Sequence, residues 1–170
     1  HIETGFGMLT CSLTALQYVE AQELIEQGDE SLPLLAAILY YPEKEYHSEL
    51  AHEMAKEFAK LPLELLTAIS FNFQAFNNYL FSKTSFSLLS KFVKKPKHPI
   101  TTDASDALYD LSKEGLGDAR QIEQMNVLTY LKVLRKKTID AVHDMKGFGW
   151  DKLKISEEVG LPISVIDKIL

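Results

Sequence analysis

Residues 61–92 read LPLELLTAISFNFQAFNNYLFSKTSFSLLSKF, and within this stretch lie Phe71, Phe73, Phe76, Tyr79, Phe81, Phe86 and Phe92. No Gly interrupts it and its only Pro, Pro62, stands at the start, so nothing in the backbone chemistry opposes a helix. Leu66, Ile69, Phe73, Phe76 and Leu80 recur at three- and four-residue spacing and mark one face, which Leu65 and Phe71 are expected to widen. Ser82 to Thr84 should break the run before Phe86, Leu88, Leu89 and Phe92. The pattern is that of a helical hairpin burying a large apolar surface, either in the chain's own core or against other subunits.

The same periodicity extends to both sides. Leu16, Val19, Leu24 and Ile25 form a stripe from about Thr14, with Glu20, Glu23 and Glu26 facing away and Gly28 closing the helix. Leu32–Tyr40 is apolar nearly all round, with Ser31 as its expected cap and Pro33 in its first turn. Ser48 should cap a third helix, in which Ala51, Ala55 and Ala59 offer a groove for close approach. After a connection at 94–102, rich in Lys and Pro, the spacing predicts a short helix from about 103 and one long helix over roughly 119–144. No strand pattern emerges. The fold expected is an all-α multi-helix bundle: a core at 1–93, a linker at 94–102, and a unit at 103–170 ending in a small helix-turn-helix-like pair.

That last pair rests on Ile155-Ser156-Glu157-Glu158-Val159-Gly160-Leu161, then Ile166 and Ile169, with Gly160 where the turn requires a positive φ. A DNA-binding regulator built on it is the alternative function. Ile163–Leu170, however, offers only Ser164, Asp167 and Lys168 as polar contacts, without the Arg or Asn that reads base edges. The net charge of −6 also argues against non-specific nucleic-acid or anionic-membrane binding. Residues 1–90 hold four lysines against twelve carboxylates, and a Lys cluster at 91, 94, 95 and 97 follows as a solvated linker.

Motifs for chemistry are lacking. His47 and His52 stand five apart, not the four that places two imidazoles on one helical face. Glu20, Glu23 and Glu26 read as an exposed acidic face, without the oxygen-rich turn of a cation site. Cys11, the single cysteine, has no base partner in sequence, and no glycine run forms a phosphate cradle. No apolar run reaches the ~18 residues of a membrane span, and Ile2–Thr10 lacks the basic start and apolar centre of a signal peptide. No catalytic residue, metal, cofactor or small-molecule substrate is therefore expected. Other protein subunits are, in a homo- or hetero-oligomer, with Phe73, Phe76, Tyr79, Phe81 and Trp150 as aromatic anchors entering apolar pockets.

The string Leu32-Pro33-Leu34-Leu35-Ala36-Ala37-Ile38-Leu39-Tyr40-Tyr41-Pro42, followed by Tyr46 and Phe58 to Pro62, resembles small accessory proteins of tailed bacteriophages, the tail assembly chaperones and baseplate-associated proteins. The segment from Glu114-Gly115-Leu116-Gly117-Asp118 through Leu128-Thr129-Tyr130-Leu131 is similar to their later part. The resemblance implies a non-enzymatic viral protein that binds other tail proteins in the bacterial host cytoplasm, transiently or within the virion.

Overall fold

The computed structural model describes residues 4–5, 8–25, 27–91, 111–113, 115 and 117–170. It is all-α. The one extended element among these residues is a minimal antiparallel ladder, β1 (Thr4–Gly5) with β2 (Met8–Leu9), in the arm preceding the first helix.

Helix α1 (Ala15–Ile25) starts on a capping box absent from the sequence reading. Thr14 Oγ1 accepts from the Gln17 N–H at 3.2 Å, and Gln17 Oε1 accepts from the Thr14 N–H at 3.0 Å. The same amide donates through Nε2 to the Ile38 carbonyl at 2.8 Å, tying α1 to the end of α2 (Leu32–Leu39). Ser31, expected to cap α2, instead donates its hydroxyl to the carbonyls of Leu24 and Gly28. Its φ and ψ are already helical, so its oxygen is aimed back at the end of α1.

α2 is the central element, as its all-round apolarity predicts: Leu32, Leu35, Ala36, Ala37 and Ile38 are buried. α3 (Ser48–Phe58) packs on it, and the wholly buried Ala36, Ala37 and Ala51 allow close approach. The small-residue groove is shorter than expected, because Ala55 is half-buried and Ala59 exposed. The cap of α3 is His47 rather than Ser48, without a side-chain hydrogen bond.

α4 (Leu63–Lys83) buries Leu66, Ile69, Phe73, Phe76 and Leu80, the face its spacing predicts. Phe73 meets Tyr18 of α1 edge-on, with centroids 6.0 Å apart. Thr84 ends the helix by donating to the Leu80 carbonyl at 2.5 Å. It then starts a 3-10 turn (Ser85–Ser90) by accepting from the Phe86 N–H.

The long helix expected over 119–144 is two helices, α5 (Ala119–Glu123) and α6 (Val127–Gly147). The apolar spacing runs through the break, but the backbone does not. The Asn126 side chain accepts from the Leu128 N–H, and the Asn126 amide donates to the Cys11 carbonyl at 2.6 Å. The Ala15 N–H donates to the Met125 carbonyl, and the Val127 N–H donates to the Leu13 carbonyl. Partners from across the chain thus replace the intrahelical hydrogen bonds lost at the break.

The hydrophobic core also crosses the expected domain boundary. Ile122, Val127, Tyr130 and Leu131 are buried in one cluster with Leu13–Phe86, so the described part after the boundary is not a unit apart; the linker and the start of the short helix expected from about 103 lie outside the described residues. A second, smaller core joins Val142, near the far end of α6, to Ile155 and Val159 of α7 (Lys152–Val159) and Ile166 of α8 (Ile163–Ile169). Gly160 makes the turn between α7 and α8 at φ 77° and ψ 13°, the left-handed conformation its position predicts. Ser156 Oγ donates to the Leu161 carbonyl across the same turn at 2.6 Å.

Candidate interaction surface

The aromatic helix has a buried apolar face and an exposed one, where Leu65, Phe71 and Tyr79 stand among Asn72, Gln74 and Asn78. Phe73 and Phe76, two of the expected anchors, are each only 4% exposed and belong to the core, so no partner reaches them in the folded chain. Phe81 is half-buried against the same core. Trp150 packs on the second core as a plug at the end of α6, with Lys154 Nζ 3.8 Å from its ring centroid. Of the five anchors, only Tyr79 is exposed, and then by less than half, at 42%.

The residues the sequence reading misplaced are Leu65 and Phe71. They do not widen the core face; they are 47% and 64% exposed. With about 3.6 residues per turn, Phe71 falls nearly opposite the centre of the buried face. Leu65, Ala68, Asn72, Ala75 and Tyr79 then line up beside it, all exposed. From Leu65 to Ser82 there is no Asp, Glu, Lys, Arg or His. A solvated helix face normally carries charge, whereas charge is depleted and aromatics are enriched at the centres of protein interfaces. A helical wheel drawn on Leu66 and Phe73 would have found Phe71 on the far side.

Large apolar side chains are exposed away from α4 as well, Tyr40, Phe148 and Leu153 among them. A cleft of about 530 Å³ opens between α3 and α5, lined by Leu16, Tyr46, His47, Leu50, Arg120 and Gln124. Several of its polar groups are already paired. The Tyr46 N–H donates to Gln124 Oε1 at 2.9 Å, Gln124 Nε2 donates to the Tyr46 carbonyl at 2.7 Å, and Arg120 pairs with Glu45. The Tyr46 hydroxyl donates to Glu20, which is therefore part of a junction and not of a purely solvated acidic face.

Burial pushes the Tyr46 phenol well above its ordinary value of 10.0, and the Glu20 carboxylate adds to the shift. A raised pKa in the folded state means stability fully present below pH ~10 and lost as the pH climbs through the folded value. Tyr46→Phe should cost about 1–3 kcal/mol near pH 7.5, the worth of a hydrogen bond to a charged group. Its urea midpoint should converge on that of the parent above pH ~10, because only the parent has this phenol to ionise. Midpoints measured at pH 7.5 and 10.5 check the convergence.

Among the described residues no group of three or more His, Cys, Asp or Glu comes together as a metal site. His52 Nδ1 bonds to the Ser48 carbonyl at 2.9 Å. Burial raises the Cys11 thiol, which disfavours the nucleophilic thiolate. No described helix is long and apolar enough to cross a membrane. In the C-terminal pair, Asp167 is held by Lys152 at 2.5 Å, leaving Ser164 and Lys168 as the other polar groups the sequence reading assigned to a reading helix.

No protein-family model, curated protein or solved structure matches the chain.

Proposed function

We propose that this chain is a non-enzymatic assembly or structural protein that acts through protein–protein contacts, and that its contact surface is the outward face of α4. The observation that carries this reading is the uncharged exposed row of Leu65, Phe71 and Tyr79 on the same helix that builds the core. Because the inner face of α4 is locked by Leu66, Ile69, Phe73, Phe76 and Leu80, the outer face is presented rigidly, and a partner need not order it on binding. The proposed setting, phage tail or virion assembly in the bacterial host cytoplasm, rests on the resemblance of residues 32–62 and 114–131 to tail accessory proteins.

The test is a photo-crosslinking amino acid placed at Phe71 and, as a control, at Glu53 on the exposed side of α3, in cells that make the protein in its native setting. Discrete protein adducts from position 71 and none from position 53 are expected. Equal or absent crosslinking at both positions removes the α4 face as the contact surface.

A further inference from the structure

Within the exposed α4 face, the row Leu65, Ala68, Asn72, Ala75 and Tyr79 is close to symmetric about Asn72, and the exposed Gln74 and Asn78 lie outside it, on the other side of Phe71. Leu65 lies seven residues before Asn72 and Tyr79 seven after; Ala68 lies four before and Ala75 three after; Phe71 is its immediate neighbour. Large side chains therefore stand at both ends of the row, small ones inside them, and Phe71 with Asn72 at the centre. When two identical helices pack antiparallel across a two-fold axis, positions equidistant from the axis come level. With the axis at Asn72, each Leu65 lies against Tyr79 of the other copy, and each Ala68 comes within one residue of the other Ala75. Phe71 stacks near its own counterpart, and the Asn72 amides, each both donor and acceptor, meet each other. Alanines at the crossing let the helices approach to the short end of the 8–10 Å range.

We propose, building on the reading of α4 as a contact surface, that its partner is a second copy of this chain, docked through α4 antiparallel about Asn72. Charge points the same way. Two copies, each with a net charge of −6, repel over most approaches, and the α4 row is a face on which no like charges are brought together. A row without charge also has nothing to select an oppositely charged foreign surface.

The size is that of a reversible contact. Residues 65–82 span about 26 Å of helix. Phe71 and Tyr79 at their observed exposures offer about 200 Å² per copy. With Leu65, Ala68, Asn72 and Ala75, the total for two copies reaches at most about 1,000 Å², below the ~1,200 Å² at which stable specific interfaces begin and in the range of weak, transient contacts. The dimer should therefore dissociate on dilution.

The experiment uses the full chain. Light scattering over a hundredfold concentration range should show the mass rising from 19.2 kDa toward twice that value. Phe71→Glu should weaken dimerisation at least tenfold, as should Phe71→Lys, while each keeps the parent's circular dichroism and melting curve, because position 71 is exposed. Mixing the two variants should restore a dimer, since opposite charges then meet at the axis. In a Cys11→Ser background, Asn72→Cys should form an intermolecular disulfide under mild oxidation. Leu65→Cys alone should not, but should when mixed with Tyr79→Cys. A monomer at all concentrations, a dimer indifferent to Phe71→Glu, or a disulfide pattern of another register overturns the proposal. A monomer whose position-71 adducts are all with a different protein overturns it too, yet leaves α4 as the contact surface. A monomer with no adduct from position 71 removes both.

Discussion

Replacing Phe76 by Asp should unfold the chain and not merely detach a partner from it. Phe76 is almost fully buried on the inner face of α4, beside Phe73, with the two ring centroids 6.4 Å apart. Removing a buried Phe costs about 3–5 kcal/mol through lost transfer energy and the cavity left behind. A carboxylate in the same place adds a desolvation penalty of several kcal/mol. The sum rivals the whole stability of a domain of this size, about 5–15 kcal/mol. Loss of the far-UV helical signal and of the cooperative urea transition would be the result. A folded Phe76→Asp chain would instead mean that this face of α4 is not core. The contrast with Phe71, five residues earlier and exposed, is the sharpest statement of how α4 is oriented.

The second large effect is local. Ile166→Ala should melt the C-terminal pair and leave the main core standing. Ile166 is completely buried, but its cluster is small: Val142, Ile155, Val159 and Leu161, with Leu88, Met145 and Trp150 packed around them. Truncation to Ala costs about 2–5 kcal/mol. A satellite core of this kind opens at lower free energy than the main one, so the loss is concentrated there. Hydrogen exchange followed by mass spectrometry should show residues 152–169 exchanging with little protection. The segments of α1, α2 and α4 should exchange at nearly their parental rates. If exchange quickens equally in both regions, the two clusters unfold as one and the description of a separable C-terminal pair fails.

Much of the architecture is legible in the sequence. The buried face of α4, the all-round burial of α2, Pro33 in its first turn, and the left-handed Gly160 between two short helices all follow from spacing and backbone chemistry. These are local properties, carried by residues within one or two turns of each other, so periodicity reports them. The misses share a different cause. A single helix from 119 to 144 is what the spacing of Ile122, Met125 and Leu128 describes. The break at 124–126 exists because Leu13 and Ala15, more than a hundred residues away, exchange hydrogen bonds with Met125 and Val127. Likewise, Ser31 left its capping role because the end of α1 presented carbonyls to it. Glu20 is drawn partly out of the solvent because Tyr46 reaches it.

The candidate surface divides in the same way. Aromatic residues stand on both sides of α4, so composition alone announced a helix with more apolar surface than one core needs and could not say which aromatics were the surplus. Periodicity fixes only the angle between Phe71 and Phe73, because that angle belongs to one helix. Which of the two is covered depends on where α1 and α2 lie, a relation among helices that no local pattern encodes. Packing against those helices placed Phe73 and Phe76 inside and left Phe71 and Tyr79 facing outward.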